Sequence, residues 1–553
     1  MAVDLVKDAG EPKEAHESRL ASIEPLFDVH AYVDDFNRGI VPAYQRGTAD
    51  AGLPADGGVA RSIIPPGTAA VRDFSHLAPQ IPELDASKCV GCMACVSACP
   101  DTAILGVAVP EKQLEQAIGQ FAQVQPDPEL ATATATSHFV KTTKYADVPA
   151  KRGLDPAQFG IFVDPVHCKG CAECVEVCGS LGHDALRMID KVIQEDSGES
   201  TLDRYLRDIS LFRSLPITPP EYRNEKALAD LMLGEHAIGY VGGAGSCAGC
   251  GEASAVRMLV AATRQVHGPE SMGIVAATGC NTVYGSTYPF NPFLVPWTNS
   301  LFENAPADAL GIRERWNQAG HPERKVWALG GDGAMYDIGF QSLSRVVASG
   351  ADINVMVLDT QVYSNTGGQA STASFGGQVT KLSAFGRDLH GRTERRKELG
   401  RILIGHGDAY VAQTTPAHLN HFYRAVMEAN EYPGPAVVIV YTPCMPEHGI
   451  ADDASTRQAK LAVQNRAFPL LVYDPRRGET IAERLSLQGN PALKEDWFTA
   501  PDGSAQDFLA FARTEGRFAP HFGRDGTPSE EIVATQEERL ANWRTLQELA
   551  GIR

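Results

Sequence analysis

The sequence predicts an α/β protein, a doubly wound parallel sheet with a smaller α+β domain on its amino-terminal side. Two observations predict it. From about residue 235, short apolar runs alternate with longer amphipathic ones, the strand–helix–strand pattern of a parallel sheet covered on both faces. Before that point, eight of the twelve cysteines fall in two runs of one spacing, C-x2-C-x2-C-x3-C. A chain of 553 residues is long enough for several domains and buries its cores without disulfide support.

The elements follow in order. Residues 1–80 are rich in Pro, Gly and charge and read as an extended arm or linker that packs on something else, with a short helical pattern around 14–26. Residues 81–200 hold both cysteine runs and form the ferredoxin-like part. An insertion at about 105–160 separates the runs, and its Ala/Thr alternation at 131–137 reads as an exposed excursion. Residues 201–470 carry the sheet. Strands are expected at 271–277, 326–329, 353–359, 409–413 and 436–441, with helices at 253–266, 337–349 and 416–430. Such sheets bind ligands beyond the carboxyl ends of their strands. Residues 471–553 are polar and partly helical and read as an extension packed on that domain.

Charge and hydropathy exclude several classes. A net charge of −19 argues against nucleic acid, because phosphate binding needs clustered Lys and Arg. The first residues are mixed-charge with no apolar targeting core, and the longest apolar runs are far shorter than a membrane span. No membrane association is expected. Twelve cysteines in a long chain of this kind favour metal over disulfides, and hence the reducing cytoplasm.

The cysteine runs point to [4Fe–4S] clusters. Three thiolates two residues apart wrap one cubane, and the fourth, three residues on, serves the other cluster. Cys89, Cys92 and Cys95 are thus expected to share a cluster with Cys178, and Cys168, Cys171 and Cys174 with Cys99. Pro100 follows the first run; Gly179 stands in its place after the second. Zinc fits poorly, since it favours separated C-x2-C pairs or Cys/His mixtures. His167, beside Cys168, reads as solvent-facing or backbone-bonded, because four thiolates already suffice.

A second constellation lies in the sheet. The expected strand at 326–329 runs into Gly330-Gly331-Asp332-Gly333, then a helix, then the strand at 353–359 and Thr360-Gln361-Val362-Tyr363-Ser364-Asn365. Asp332 and Thr360 would sit at neighbouring strand ends. Magnesium wants hard oxygens and shares them with phosphate, so Asp332, the Thr360 hydroxyl and the Val362 carbonyl make a candidate set. Gly331 and Gly333 would let backbone approach a diphosphate, with a helix amino terminus behind it. Gly-Asp-Gly alone is a common turn; with T-x-V-x-x-N at this distance it is specific. Many thiamine enzymes end the motif with two Asn, whereas Asp359-Thr360 stands here. Cys280 and Cys444 also follow strand ends. With Cys247 and Cys250 from a Gly-rich loop they would complete a third cluster beside this cofactor, the alternative being four separate buried thiols.

Here the chain resembles the pyruvate:ferredoxin oxidoreductases and their 2-oxoacid relatives. The resemblance rests on SCAGCGE at 246–252, ATGCNTVY at 277–284, NSLFEN at 299–304, GGDGAMY at 330–336 and LDTQVYSNTGGQ at 358–369. It covers about 65–550 and corresponds to the carboxyl-terminal part of the long single-chain enzyme. It implies a thiamine-diphosphate-type sheet with Mg2+ on Asp332, Thr360 and Val362. Gly331, Asp332, Gly333 and Ala334, together with Thr360, Gln361, Val362, Tyr363, Ser364 and Asn365, would line thiamine diphosphate. Glu252 and Cys280 would contact it, and Asn365 would stand near the reacting carbon, making Glu252 and Asn365 the catalytic candidates. Without the resemblance, Glu252 reads as a helix-dipole carboxylate. His448 reads as a surface or packing residue.

The implied activity is oxidative decarboxylation of a 2-oxoacid, pyruvate by default, to acyl-CoA and CO2. Coenzyme A is the co-substrate, and electrons leave through three [4Fe–4S] clusters to ferredoxin or flavodoxin. The resemblance implies a reversible reaction. The domains that hold the pyrimidine and coenzyme A are absent from the matched region. The expectation is therefore one subunit of a split enzyme, assembled with a second subunit as a dimer of heterodimers. Alternatives are a 2-oxoglutarate, branched-chain or aryl substrate, an electron-transfer subunit without its own thiamine site, and a non-redox thiamine enzyme. The aromatic stretch TYPFNPFLVPW at 287–297 reads either as pocket wall or as packing.

Overall fold

The computed structural model describes residues 29–52, 64–193, 199–381, 383 and 391–553. The helical pattern expected near 14–26 lies outside them. Five strands build the amino-terminal part: β1 (Gln80–Leu84), β2 (Ile104–Pro110), β3 (Phe139–Lys141), β4 (Ala157–Val163) and β5 (Leu186–Asp190). β1 pairs antiparallel with β5, bracketing both cysteine runs from the two ends of the region. β2, β4 and β3 form a second antiparallel sheet.

The insertion is a packed layer rather than an exposed excursion. β2 is buried along its whole length, because its residues are apolar on both faces. The helix Glu111–Gln123 lays Leu114, Ile118 and Phe121 on this sheet, and Thr201–Ser214 adds Ile209 and Phe212, all in one core. The Ala/Thr helix Pro128–Ser137 stays mostly exposed, burying Ala131 and Ala135, as does the short helix Val148–Lys151, which buries Pro149.

The large sheet holds β6 (Met272–Ala277), β7 (Trp297–Ser300), β8 (Lys325–Gly331), β9 (Asn354–Asp359), β10 (Tyr410–Thr414), β11 (Ala436–Tyr441), β12 (Leu471–Tyr473) and β13 (Leu485–Ser486). Their order is β13-β12-β10-β11-β9-β8-β6-β7. β6 to β11 are mutually parallel. β12 and β13 add an antiparallel edge that the sequence did not announce. After β11 the chain does not return to the amino rim, so β12 starts at the carboxyl rim and runs the other way. β7 was likewise not expected, because its Trp-Thr-Asn-Ser is too polar to stand out. Two cores flank the sheet, one shared with the cysteine-bearing part and one closed by the carboxyl-terminal extension.

Both ends of the described chain pack on the sheet domain. Phe36 lies 5.0 Å from the Tyr288 ring, the Thr68 hydroxyl donates to Pro289 O at 2.9 Å and Gly67 N to Phe293 O at 3.1 Å. Residues of the amino-terminal arm thus pack against the aromatic stretch, leaving Tyr288 43% exposed. At the other end, Phe508 and Phe518 close on Phe375 at 5.2 and 6.1 Å, and the buried Trp543 donates from Nε1 to Glu495 O at 2.8 Å.

Candidate active site

The carboxyl rim of β6, β8 and β9 opens into a cavity of about 270 Å3. Glu252, Cys280, Gly331, Asp332, Gly333, Ala334, Thr360, Val362, Tyr363, Ser364 and Asn365 line it, with Phe302 and Ile338 at its apolar side. These are the residues the sequence placed at a cofactor, except one. Gln361 turns away: its φ is +62°, it is wholly buried, and its Oε1 accepts from Arg517 Nη2 at 2.7 Å. The carboxyl-terminal extension has claimed that side chain. Gly333 is required by space, since a Cβ there would meet the Tyr363 ring at 2.5 Å. The expected helix at 337–349 is two pieces, a π-helical turn at Gly333–Ile338 and then Phe340–Ser349, so the amide-rich end begins directly at the Gly-Asp-Gly loop.

Three oxygens converge as a hard cation needs. The Thr360 hydroxyl lies 3.1 Å from Asp332 Oδ1 and 2.9 Å from Val362 O. Ser371 donates to the other Asp332 oxygen. Asp332 is 1% exposed, and burial followed by the nearby Asp359 and Asp337 holds its carboxyl well above the usual range. A carboxylate in this state fits a cation. Among the described residues no three His, Cys, Asp or Glu side chains close on a single ion. Asp332 is the charged member of this oxygen set, a donor chemistry that fits magnesium sharing phosphate and water oxygens.

Asp359, where many thiamine enzymes have Asn, does not stand as a loose charge. Its Oδ2 accepts from Arg396 and from Tyr336 Oη, the latter at 2.7 Å. His448 is neither surface nor simple packing. It is wholly buried, donates from Nε2 to Thr360 O at 2.7 Å, and accepts the Cys444 amide at Nδ1 at 3.4 Å. It ties the two strand ends carrying Thr360 and Cys444. Neither residue announces itself by spacing.

Glu252 opens the helix Gly251–His267, yet the dipole does not account for its surroundings. Its Oε2 makes no well-formed hydrogen bond, and burial pushes its carboxyl up to about 8 against the opposing effect of the Tyr284 hydroxyl facing it. A ligand donor entering the cavity would relieve that cost. Cys280 lines the same wall. Burial raises its thiol strongly, and the groups that add to this are Glu252, Cys250, Cys444 and Cys247. The four thiols expected to share a cluster are thus mutual neighbours beside the cavity.

The other two sets also gather as the spacing required. Cys95 is buried, which raises its thiol most, and its charged neighbours are Cys92, Cys89 and Cys178. Burial also dominates at Cys174, whose neighbours are Cys171, Cys168, Cys95 and Cys99. The two loops share a backbone: Gly91 and Met93 in the first, and Gly170 and Ala172 in the second, have φ between 65 and 70° at matching offsets. Pro100 follows the short helix Ala94–Ala98, whereas Gly179 lets Glu173–Ser180 run on. A cubane spreads its thiolates around four irons and four sulfides, so such sets surround a volume rather than one ion. His167 is buried, bonded through Nε2 to Ala70 O at 3.1 Å and paired through Nδ1 with Asp164.

Two cations, Lys169 largely and Arg257 wholly enclosed, hold the cysteine-bearing part to the sheet domain. Lys169 donates to Ala244 O, Ser246 O and Asp101 Oδ1 at 2.9, 2.8 and 2.7 Å. Arg257, one turn beyond Glu252, donates to Cys99 O at 2.9 Å. The set containing Cys99 is thereby fixed next to the loop of Cys247 and Cys250.

Fold and site define a thiamine-binding protein with an attached iron–sulfur domain. Residues 277–440 match the family described as "Thiamine pyrophosphate enzyme, C-terminal TPP binding domain", and residues 82–105 match "4Fe-4S binding domain". The chain is 30% identical over 531 residues to the probable pyruvate-flavodoxin oxidoreductase of Escherichia coli, covering 83% of this chain and 41% of that protein. It is 28% identical to the pyruvate-flavodoxin oxidoreductase of Rhodospirillum rubrum, over 96% of this chain and 46% of that one. It is also 28% identical to the pyruvate:ferredoxin oxidoreductase of Moorella thermoacetica, over 83% and 41%. The chain is a homologue of these oxidoreductases and spans less than half their length.

Proposed function

We propose that this chain is the thiamine- and iron–sulfur-bearing subunit of a 2-oxoacid oxidoreductase that makes acyl-CoA and CO2, with pyruvate as substrate and ferredoxin or flavodoxin as acceptor. One observation carries the reading: Cys280 lines the cavity with Glu252, Asp332 and Thr360 and is also a neighbour of Cys247, Cys250 and Cys444. A carbon-chemistry site and a one-electron relay therefore share a wall. Bound thiamine diphosphate would supply the electron sink for loss of CO2, and [4Fe–4S] clusters the path outward.

The chain's own residues would do the rest. Asp332, Thr360 and Val362 would hold Mg2+. Gly331, Gly333 and Ala334 would let backbone approach the diphosphate. Glu252, kept protonated near neutrality by burial, would hold a proton at its carboxyl against the cofactor. Asn365 would orient the 2-oxoacid, and Phe302 and Ile338 would exclude water from it. The pyrimidine-binding and CoA-related parts would come from a second subunit. Thiolate chemistry of this kind suits a reducing compartment, and no helix among the described residues is long and apolar enough to cross a membrane.

The test is anaerobic calorimetry of the iron-loaded chain with thiamine diphosphate and Mg2+, followed by assay against a 2-oxoacid panel with and without the partner subunit. Saturable binding with turnover only in the assembled complex supports the reading. Failure to bind the cofactor favours a plain electron-transfer subunit. Full turnover by the chain alone refutes the split architecture.

A further inference from the structure

The two ferredoxin-type thiol sets are alike in backbone and unlike in charge. Each has one thiol that accepts an amide: Ala103 N donates to Cys99 Sγ and Ala185 N to Cys178 Sγ, both at 3.3 Å. The Gly91 and Gly170 amides act on Cys89 and Cys168 at the same offset. Hydrogen bonds to sulfur are one lever on a cluster's potential, and here they separate the sets little. Net charge is another lever. Beside the Cys89, Cys92, Cys95 and Cys178 set the buried cation is Lys144, which donates to Gly91 O at 3.1 Å and is neutralised by Asp230.

Around the Cys99, Cys168, Cys171 and Cys174 set, Lys169 is neutralised by Asp101 and His167 pairs with Asp164. Two further cations have no such partner among the described residues. Arg257 is 2% exposed and makes no ion pair; its Nη1 donates to Val96 O and Cys99 O at 2.5 and 2.9 Å, and its Nε is buried without a partner. Lys191, just beyond β5, is 7% exposed, and its Nζ is buried with no hydrogen-bond partner. Burial pushes this ammonium down, and the first charge opposing that is the Cys168 sulfur, ahead of Asp73. Asp73 is exposed and accepts the Ser75 amide at 2.7 Å. For Arg257 burial acts the same way, and the first opposing charge is the Cys99 sulfur. An unpaired buried cation is costly, and a cubane held by four thiolates would relieve both at once.

We propose that Arg257 and Lys191 set the cluster on Cys99, Cys168, Cys171 and Cys174 at the higher potential of the two ferredoxin-type clusters, so that the first electron to reach this part of the chain rests there. The inference rests on the redox reading above and adds which cluster stores charge and which residues make it do so. Reduction makes a cubane more negative, and fixed cations in a low-dielectric interior favour that state. One electron leaves the Cys89 set and enters the Cys99 set; the first cluster is oxidised, the second reduced, and no bond or proton moves. Lys169 holds the Cys99 set against the loop of Cys247 and Cys250, so the store lies next to the thiols that reach the cavity.

The test uses the full iron-loaded chain, poised anaerobically at a series of potentials and read at each by electron paramagnetic resonance. Cys168→Ser and Cys89→Ser each change one ligand and so identify the signals of the two clusters. The signal altered by Cys168→Ser should be the earlier to appear on reduction. Lys191→Met removes a nitrogen that bonds to nothing, so melting temperature and iron content should hold. The earlier wave should nevertheless move to lower potential, with a tenfold smaller reduced-to-oxidised ratio at a given potential, about 59 mV for a one-electron couple. The later wave should stay in place, and Lys191→Arg should restore the first. Arg257→Met should move the same wave in the same direction. An unmoved wave in iron-replete Lys191→Met overturns the proposal, as does an equal shift of both waves or a Cys168→Ser effect on the later signal. Absence of cluster absorbance in the wild-type chain would instead strike the redox reading itself.

Discussion

The Asp359–Arg396 pair allows a quantitative test of how this chain accommodates an acid next to the candidate cation site. The Asp359 side chain is wholly buried and that of Arg396 is 2% exposed. Arg396 also donates to Ala373 O, and to Tyr336 Oη at 3.1 Å, with the Phe375 ring 5.3 Å away. Arg396→Met keeps the volume and removes the charge, leaving Asp359 buried beside Asp332. Breaking a buried pair from one side costs about 3–5 kcal/mol. For a domain of this size that lowers its melting temperature on the order of 10 °C. Asp359→Asn alone strands the guanidinium and should cost a similar amount, about 3–5 kcal/mol. The double variant Asp359→Asn/Arg396→Met removes both charges and should melt within a few degrees of wild type. Calorimetric melting of all four proteins closes the cycle. Additive losses, with the double variant worst of all, would show that the acid is not held by this pair.

Glu252→Gln should leave the melting temperature of the cofactor-free chain nearly unchanged, because it mimics the protonated acid, while weakening thiamine diphosphate binding about 10- to 100-fold by calorimetry. His448→Phe keeps the ring, which stacks on Tyr441 at 6.1 Å, but leaves Thr360 O unsatisfied; Mg2+-dependent cofactor affinity should drop about tenfold with the iron content unchanged. His418 and His421 flank the amino terminus of the helix Leu419–Glu431, and burial pushes both down to about 4, with help from Lys460 for the first and from His418 and Arg424 for the second. Both are neutral when folded and protonate near 6.5 when unfolded. Their stabilisation is complete above pH 6.5 and is lost as pH falls towards 4, on the order of 3 kcal/mol for each. Urea melts of His418→Gln/His421→Gln should show a flattened acid limb across that window; an unchanged pH slope would contradict the assignment.

The strands β6, β8, β9, β10 and β11 were readable because buried parallel strands are continuous apolar runs bounded by Gly, Asn and Asp. That these residues would share one cavity was legible because Gly331–Ala334 and Thr360–Asn365 follow neighbouring strand ends. What escaped reading depends on contacts distant in sequence. Arg396 answers Asp359, Arg517 captures Gln361, and His448 joins Thr360 to Cys444, and none of these has a local spacing that signals it. β12 and β13 escaped because strands of three and two residues carry no periodicity. The insertion's burial does not show in its low-complexity helix Pro128–Ser137, which is exposed, but in β2 and β4 on either side, which are buried.

Three sets of four thiols, one of them reaching the wall of the candidate cofactor cavity through Cys280, carry the proposed chemistry. Iron determination on anaerobically reconstituted wild type and Cys444→Ser tests this most directly. About twelve irons per chain falling to about eight, with the two ferredoxin-type signals intact, is the predicted result. About eight in both proteins would mean that Cys247, Cys250, Cys280 and Cys444 hold no cluster.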